Sequence, residues 1–345
     1  MIDTFEISFI TIYKTIKLIQ QELGEELVFK NGTCTITNPL QQPGIQQLRI
    51  IKLKNTSSYQ VTLTVNPMQL ITEKETPILF ECTPSNMASL KDKLNDELEY
   101  LHPSITLMKR TWRLSRIDYA QQCYTQHHLL YPLLESQGAV PSTDTDYGFE
   151  GSTYRSNKST KLNAYSKQLQ VESSNHSHQY KDVTKRLYRF EKQCHKPSTL
   201  CKKYELKGSD LFALFDEMIA YKELTACHKR HIKAGDYYSR NQAIEKIYAT
   251  PGKHEKSNAL LVEVLDCIVS EGTLNNALTA IQEGSENVPE RFRAKEDNES
   301  YQILKERFKE FIRHHLCKVG INPILLPEDC STSCVINSYT ELFEA

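Results

Sequence analysis

Apolar residues alternate with polar ones through much of the first eighty residues, and this pattern predicts β-strands. Phe5, Ile7 and Phe9 are separated by polar residues within the segment 2–10. A period of two puts one side of a strand in a core and the other toward solvent. Further short strand-like runs occupy residues 48–53, 59–65 and 78–82, so residues 1–82 are predicted to be β-rich.

The helical period appears after residue 83 and then gives way to strands again. Apolar residues recur every three or four positions on one predicted helix that ends before Pro103, and they are Met87, Leu90, Leu94, Leu98 and Leu101. Strands are predicted at residues 112–120, 161–169 and 186–194, and a loop at 136–151. Ser209 is predicted to cap a helix that runs through Met218.

From about residue 240 onward the recurring pattern is helical. Residues 259–269 and 301–316 are amphipathic, and the charged segment 289–300 is typical of a linker. The predicted fold class is therefore α+β. An antiparallel-sheet-based domain with packed helices is expected over residues 1–240, with candidate motifs at 112–206, followed by a smaller helical C-terminal region at 241–345.

Charge is distributed unevenly behind a formal net charge of −1. Residues 153–203 contain 12 Lys and Arg against 3 acids, whereas the chain from residue 257 onward has 15 acids and 8 Lys and Arg. A basic block of this kind suits a polyanion such as nucleic acid, although a solvated charged face has the same composition.

The ten cysteines are scattered, and their spacing is a weak match to the tight Cys/His pairs of zinc sites. The chain opens with a strand-like pattern rather than a leader, and no apolar run approaches the roughly 18 residues that would cross a bilayer. We therefore expect free thiols in a reducing cytoplasm, and no membrane partner.

Three short pieces of the central segment carry candidate chemistry. Asp118 is the one acid of an apolar and basic strand, and Glu191 is the one acid of another. Between them, Tyr154 lies in a small, basic stretch that is predicted to be an exposed loop. A strand follows it and ends in Tyr165 and Lys167.

Together these residue types are what cleavage of a single DNA strand requires. A tyrosine hydroxyl can attack a phosphodiester and keep the 5′ phosphate as an ester, which preserves the bond for rejoining. Asp118 and Glu191 are expected to hold a divalent metal, Mg²⁺ or Mn²⁺, since such ions prefer carboxylate and water ligands. Lys167 would neutralise phosphate charge. The predicted DNA contacts are Arg155, Lys158, Lys161, Arg186 and Arg189.

Each residue also has a structural interpretation. Asp118 and Glu191 can pair with the neighbouring Arg116 and Arg189, and Tyr165 can be a core aromatic. A histidine metal site is the other alternative, and the near match to a His-hydrophobic-His strand is at residues 176–178. That segment lacks apolar flanks and is predicted to be a loop, and the pair at 127–128 is no better placed. Carboxylate ligation is therefore the working model.

The order of the pieces resembles the replication initiators of filamentous phages, the gene II type endonucleases, and more distantly those of rolling-circle plasmids. Over roughly residues 1–220, the matching pieces are Leu114-Ser-Arg-Ile-Asp118, Ser152-Thr-Tyr154-Arg-Ser156, Leu162-Asn-Ala-Tyr165-Ser-Lys167, Leu187-Tyr-Arg-Phe-Glu191 and Asp210-Leu-Phe212. The usual glycine after the loop tyrosine is absent here. The nucleophile therefore stays open between Tyr154, the first choice, and Tyr165.

The resemblance implies an enzyme that nicks one strand of a duplex origin and rejoins it after rolling-circle synthesis. Its partners would be the double-stranded DNA origin and the single-stranded DNA product, with a host helicase or a second copy of the chain for the C-terminal region. The competing function is a regulator that binds DNA without cutting it, because backbone affinity needs only Lys and Arg. An RNA-binding protein would show regularly spaced stacking aromatics, which this sequence lacks.

Overall fold

Residues 1–132 and 140–227 form one unit of the computed structural model, and residues 133–139 and 228–345 form a second. The division thus falls earlier in the chain than the boundary expected at residue 240. The structure describes residues 1–24, 26–40, 43–136, 145–149, 152–173, 177–231, 236–251, 255–271, 274–293, 301–321, 325–326 and 337–344.

A single sheet organises the first unit. Within the described residues it has nine strands in the order β2-β3-β4-β1-β5-β9-β8-β7-β6, and every neighbouring pair is antiparallel. The strands are β1 (Ile2–Ile12), β2 (Thr33–Thr37), β3 (Ile45–Lys52), β4 (Ser58–Val65), β5 (Arg113–Tyr124), β6 (Thr145–Phe149), β7 (Ser152–Ser156), β8 (Thr160–Ser166) and β9 (Leu187–Cys194).

Helices complete both units and confirm the predicted α+β class, including a helical C-terminal region. Those that begin in the first unit are α1 (Tyr13–Leu23), α2 (Pro67–Thr72), α3 (Pro84–Leu101), α4 (Leu130–Ser136), α5 (Lys167–Glu172), α6 (Ser177–Thr184), α7 (Pro197–Lys203) and α8 (Glu217–His231). The remaining ones are α9 (Arg240–Ala249), α10 (Glu255–Glu271), α11 (Leu274–Gly284), α12 (Tyr301–Lys318) and α13 (Ser338–Phe343).

The sheet has one apolar face, which forms the core of the first unit. Phe5 and Phe9 of β1 point to this face and are almost completely buried. The ring of Phe5 packs edge-on against Phe215 at 5.0 Å, and that of Phe9 packs against Trp112 at 4.4 Å. Because side chains alternate along a strand, burial of this face sets the register of β1 and leaves its polar residues on the opposite face.

The predicted helix after residue 83 is confirmed as α3. The hydroxyl of Thr83 accepts a hydrogen bond from the backbone N–H of Asn86 at 3.2 Å and so caps the first turn. The helix ends at Leu101, two residues before Pro103. Its four buried residues are Leu90, Leu94, Leu98 and Leu101, which are four of the five that the spacing selects.

Two predicted elements have boundaries that differ from the predicted ones, because polar side chains cap the neighbouring helices at other residues. The strand expected at 161–169 ends at Ser166, whose hydroxyl accepts the N–H of Leu169 and starts α5. The helix expected after Ser209 begins only at Glu217. There the carboxylate of Asp216 accepts the N–H of Ile219 at 2.8 Å and caps the first turn.

Other predictions of loops and strands also change. The loop expected at 136–151 contains β6, and its residues 137–144, 150 and 151 lie outside the described part of the chain. The run 78–82 forms no strand, since its one sheet contact is the bridge from Phe80 to Ile2. The apolar patterns in the sequence also did not predict the strand β2 or the helix α1.

The second unit has a helical core of its own. Among its described residues, α9 to α12 contribute buried apolar side chains to one cluster, including Ile247, Leu261, Leu265, Leu278 and Phe308. A short backbone bridge joins Asp236 to Ile321. No helix in the described residues of either unit is long and apolar enough to cross a membrane.

The residue directly before β3 is a glycine that lies close to α2. A substitution there tests this packing. Gly44 has a φ of +111°, and a Cβ there would lie 2.6 Å from the Cα of Leu70 in α2. We expect Gly44→Ala to lower the free energy of unfolding by about 2 kcal/mol or more, through backbone strain and overpacking. The measurement is urea unfolding followed by circular dichroism.

The matched control is Gly208→Ala. No atom lies within 4 Å of a Cβ built at Gly208, so this variant should change stability by less than about 0.5 kcal/mol. Equal stability of the Gly44 variant and the wild-type chain would contradict the close approach of α2 to β3.

Candidate functional site

The second face of the sheet is lined by polar and charged side chains and contains most of the predicted site. Strand register places Tyr154 of β7, Asn163 of β8 and Glu191 of β9 in one row across three adjacent strands. Asp118 of β5 lies two residues along from Ala120, which pairs with Glu191. We define the polar face by Thr4, Glu6, Arg116, Asp118, Ser152, Tyr154, Lys161, Asn163, Tyr165, Arg189 and Glu191.

Asp118 is buried on this face and is held by neighbours on its own strand and on β1. Its carboxylate accepts a hydrogen bond from the Thr4 hydroxyl and one from Arg116 Nε at 3.0 Å. Burial raises the pKa of Asp118 to about 7, against the opposing effect of the Arg116 guanidinium. A carboxyl that titrates near neutrality is common at functional sites.

Glu191 is also buried and has a different set of partners. The Tyr165 hydroxyl donates to its Oε1 at 2.5 Å, and the Asn163 amide donates to its Oε2 at 3.2 Å. Arg189 lies 3.8 Å from the same carboxylate and 2.9 Å from Asp3. Burial first, and the charge of Asp3 second, raise the pKa of Glu191.

Two acids that sequence reasoning missed extend this arrangement. Asp3 acts on both Asp118 and Glu191, since its negative charge raises the pKa of each. Glu6 is 2.6 Å from Arg116 and 3.3 Å from Arg49. The alternation of β1 could have identified Glu6, because it lies between Phe5 and Ile7. Asp3 lies at a β-bulge between Ile2 and Thr4, where the alternation is broken.

The two candidate tyrosines occupy different environments on the polar face. Tyr165 is 5 % exposed, and burial raises its pKa well above the usual value. Tyr154 is half-buried, and burial also raises its pKa. The Lys161 ammonium lies over the Tyr154 ring, 5.1 Å from its centroid. Tyr154 therefore lies in a strand and not in the exposed loop that the sequence predicted, yet it is the more accessible of the two.

Lys167 begins α5 beside this cluster. Its ammonium lies 5.8 Å from the centre of the Tyr165 ring and donates to Gln170 at 2.6 Å. Burial, together with the charge of Arg189, lowers the pKa of Lys167 to about 8. A lysine with this pKa can exchange a proton at physiological pH.

The predicted DNA contacts divide between the faces. Arg155 is 1 % exposed and lies in register with Leu162 and Lys192. Lys192 is ion-paired with Glu223 on the apolar side of the sheet, so Arg155 lies on that side too. Arg155 therefore cannot reach DNA that lies on the polar face. The predicted DNA contact by Arg155 is wrong, because alternation along β7 sends its side chain to the core.

The other four predicted DNA contacts also differ in how exposed they are. Arg189 is buried and bound to Asp3, to Gln122 at 2.8 Å and to the carbonyl of Pro77, so it organises the acids and has no surface for a phosphate. Lys158 and Arg186 are exposed, and Lys161 is half-buried beside Tyr154. These three stay candidates for contact with a polyanion.

The carboxylates of Asp118 and Glu191 are the candidate metal ligands, and their strands are neighbours in the sheet. Asp118 and Glu191 are diagonal neighbours on adjacent strands, which sets a separation of roughly 7–8 Å between their Cα atoms. No group of three or more His, Cys, Asp or Glu side chains in the described residues is arranged to hold a metal ion. Mg²⁺ commonly keeps several waters and uses one or two carboxylates, so Asp118 and Glu191 are the candidates for such a site.

Of the histidine alternatives, His128 lies away from the polar face. His128 is buried on the apolar side of the sheet, where its Nδ1 lies 2.8 Å from the hydroxyl of Ser166. Residue 176 lies outside the described residues, and Ser177 begins α6. Comparisons with protein-family models and with curated proteins found no match to this sequence.

The raised pKa of Asp118 predicts how its contribution to stability changes with pH. The folded chain binds this proton more tightly than the unfolded chain does. The stabilisation is therefore complete below about pH 4 and is lost as the pH rises through 7. Asp118→Asn removes this dependence, so its unfolding free energy should rise relative to wild type by about 2–4 kcal/mol between pH 4 and pH 8.

The measurement is urea unfolding of both proteins at pH 4, 6 and 8 in the presence of a chelator. A difference between the two proteins that is constant across this range would contradict the raised pKa of Asp118.

Proposed function

We propose that this protein nicks and rejoins one strand of DNA through a covalent tyrosine intermediate. The observation that supports this most is the row of Tyr154, Asn163 and Glu191 on adjacent strands, with Asp118 one diagonal position away. Strands lie about 4.8 Å apart, so the Tyr154 side chain begins roughly 9–10 Å from that of Glu191. One phosphodiester can lie between the tyrosine and the acids.

Tyr154 is the proposed nucleophile because it is the more exposed tyrosine of the polar face. Its oxygen forms a bond to the phosphorus, and the bond from phosphorus to the 3′ oxygen breaks. The phenol loses its proton to water. Lys167, whose pKa is near 8, gives a proton to the departing 3′ oxygen. The 5′ phosphate stays on the tyrosine, and the reverse sequence rejoins the strand.

Glu191 and Asp118 would hold a divalent ion, Mg²⁺ or Mn²⁺, that neutralises charge on the scissile phosphate when it is bound. The hydrogen bonds from Tyr165 and Asn163 orient the Glu191 carboxylate, as outer partners of a ligand usually do. Tyr165 is in this proposal a positioning residue, because its hydroxyl is buried and already donates to Glu191.

A second function, DNA binding without cleavage, is favoured by a different observation. The acids of the polar face already have cationic partners within the protein, since Arg116 lies 3.0 Å from Asp118 and Arg189 lies 2.9 Å from Asp3. Acids that are neutralised in this way need no metal ion, because their charge is already balanced within the protein. The two functions differ in one product, the covalent adduct between the protein and a 5′ end of DNA.

Tyr154→Phe should abolish the covalent adduct. The assay incubates the protein with labelled single-stranded DNA and Mg²⁺ or Mn²⁺, and the adduct is then detected by denaturing electrophoresis and located by peptide mapping. Tyr165→Phe should keep the adduct but form it about 10–100-fold more slowly, because Glu191 loses its positioning bond. Tyr100→Phe is the matched control, since Tyr100 is 71 % exposed on α3. An adduct formed by Tyr154→Phe at the wild-type rate would exclude Tyr154 as the nucleophile.

Asp118→Ala and Glu191→Ala should each reduce cleavage by at least about 100-fold while leaving DNA affinity within about threefold. Cleavage is measured as the nicking of supercoiled DNA, and affinity by fluorescence anisotropy. Loss of binding together with cleavage would show that these acids are structural and would favour the non-catalytic function.

A further inference from the structure

A groove at one end of the polar face combines three cations with exposed apolar side chains. The cavity has a volume of about 440 Å³, and its lining includes Ser8, Ile10, Gln60, Lys109, Arg110 and Arg113. We call it the basic groove. No acid lines it. It is formed by β1, β4, the start of β5 and the turn that precedes β5.

Two of the three cations have no carboxylate partner among the described residues. Lys109 and Arg113 are exposed, and neither forms an ion pair there. Arg110 differs, because it donates to the carbonyl of Ser104 at 3.0 Å and to the hydroxyl of Thr15 at 3.3 Å. Its guanidinium also lies over the ring of Phe9. The groove therefore has one anchored cation and two whose charge is available to an anion.

The groove continues the polar face. Ser8 pairs with Arg113 across β1 and β5, and the neighbouring polar rung is Glu6 with Arg116. Arg116 in turn binds Asp118. Along β5, Arg113 lies five residues from Asp118, which is about 16 Å at the usual rise of a strand. The groove would therefore contact the DNA strand a few nucleotides away from the acids.

The apolar side chains at the groove favour a single strand over a duplex. Ile10 is 62 % exposed and lines the groove, and Met108, next to Lys109, is 94 % exposed. Exposed apolar groups beside phosphate-binding cations suit a strand whose bases are unstacked and accessible, because a duplex keeps the flat surfaces of its bases stacked inside the helix.

We infer that the basic groove binds the phosphate backbone of single-stranded DNA that flanks the nick, through Lys109 and Arg113. This inference rests on the proposed function for the identity of the nucleic acid. It goes further because it assigns a second DNA contact, which lies on β-strands other than the one that carries Tyr154. Such a contact would hold the displaced strand on the protein while its 5′ end is attached to Tyr154.

The test is the double substitution Lys109→Ala/Arg113→Ala, made in the Tyr154→Phe protein so that binding is measured without cleavage. The probe is a 20-nucleotide oligo-dT labelled with fluorescein, and affinity is measured by anisotropy at several salt concentrations. Loss of two phosphate contacts should reduce the slope of log K against log salt by about 1.4 for a single strand. An oligomer of mixed sequence should show the same reduction, because phosphate contacts carry no sequence information.

The matched control is Lys246→Ala/Lys318→Ala, which removes the same charge from exposed positions of the second unit. Its slope should equal that of the parent protein. An unchanged slope in the groove variant would overturn the inference, and so would a slope that falls for a 20-base-pair duplex but not for oligo-dT.

The adduct assay separates this inference from the proposed function. If wild-type protein forms no covalent adduct while the groove variant still loses salt dependence, the nicking function fails and the groove stands as a single-strand contact. If the adduct forms and the slope of the groove variant matches the parent, the nicking function stands and the groove assignment fails.

Discussion

The burial of carboxylates on a sheet face, with arginines to hold them, is the constraint on which the rest of this structure depends. Asp118 and Glu191 are both nearly inaccessible to solvent. An ionised carboxylate in such a place is costly unless it is paired and hydrogen-bonded. Arg116 and Arg189 supply the charge, and Thr4, Asn163 and Tyr165 supply hydrogen bonds. Removal of one arginine would leave a buried charge without its partner, which typically costs about 3–5 kcal/mol.

This arrangement ties the chemistry of the polar face to the rigidity of the sheet. The side chains of the polar face lie on β1, β5, β7, β8 and β9 and not on loops. Sites on strands are held more accurately than sites on loops. The raised pKa of Asp118 and the lowered pKa of Lys167 have the same main cause, burial, and both bring a titration close to neutral pH. The polar face is therefore at once a structural layer and a place suited to proton exchange.

The local sequence pattern selected those candidate residues whose signal was contained in one strand. Asp118 and Glu191 stood out because each is the one acid among apolar and basic neighbours, and β5 and β9 lie where the alternation indicated. Tyr154 lies on the same face, but in a strand and not in the predicted exposed loop, since Ser, Thr and Arg around it are typical of a loop. They form β7 because that strand pairs with β8 and β6, a long-range interaction that overrides local propensity.

By itself, the sequence determined the α+β class, the boundaries of α3 and most of the strands, because apolar periodicity and caps act over only a few residues. Tertiary structure alone decided which polar residues share a face. It sent Arg155 to the apolar side and engaged Arg189 with Asp3, although both are basic residues in the same block of sequence. It also brought Asp3 and Glu6 to the acids of the central segment. The physical reason is that a period of two assigns a side chain to a face only when strand order and register are known. Both depend on pairings between residues more than a hundred positions apart.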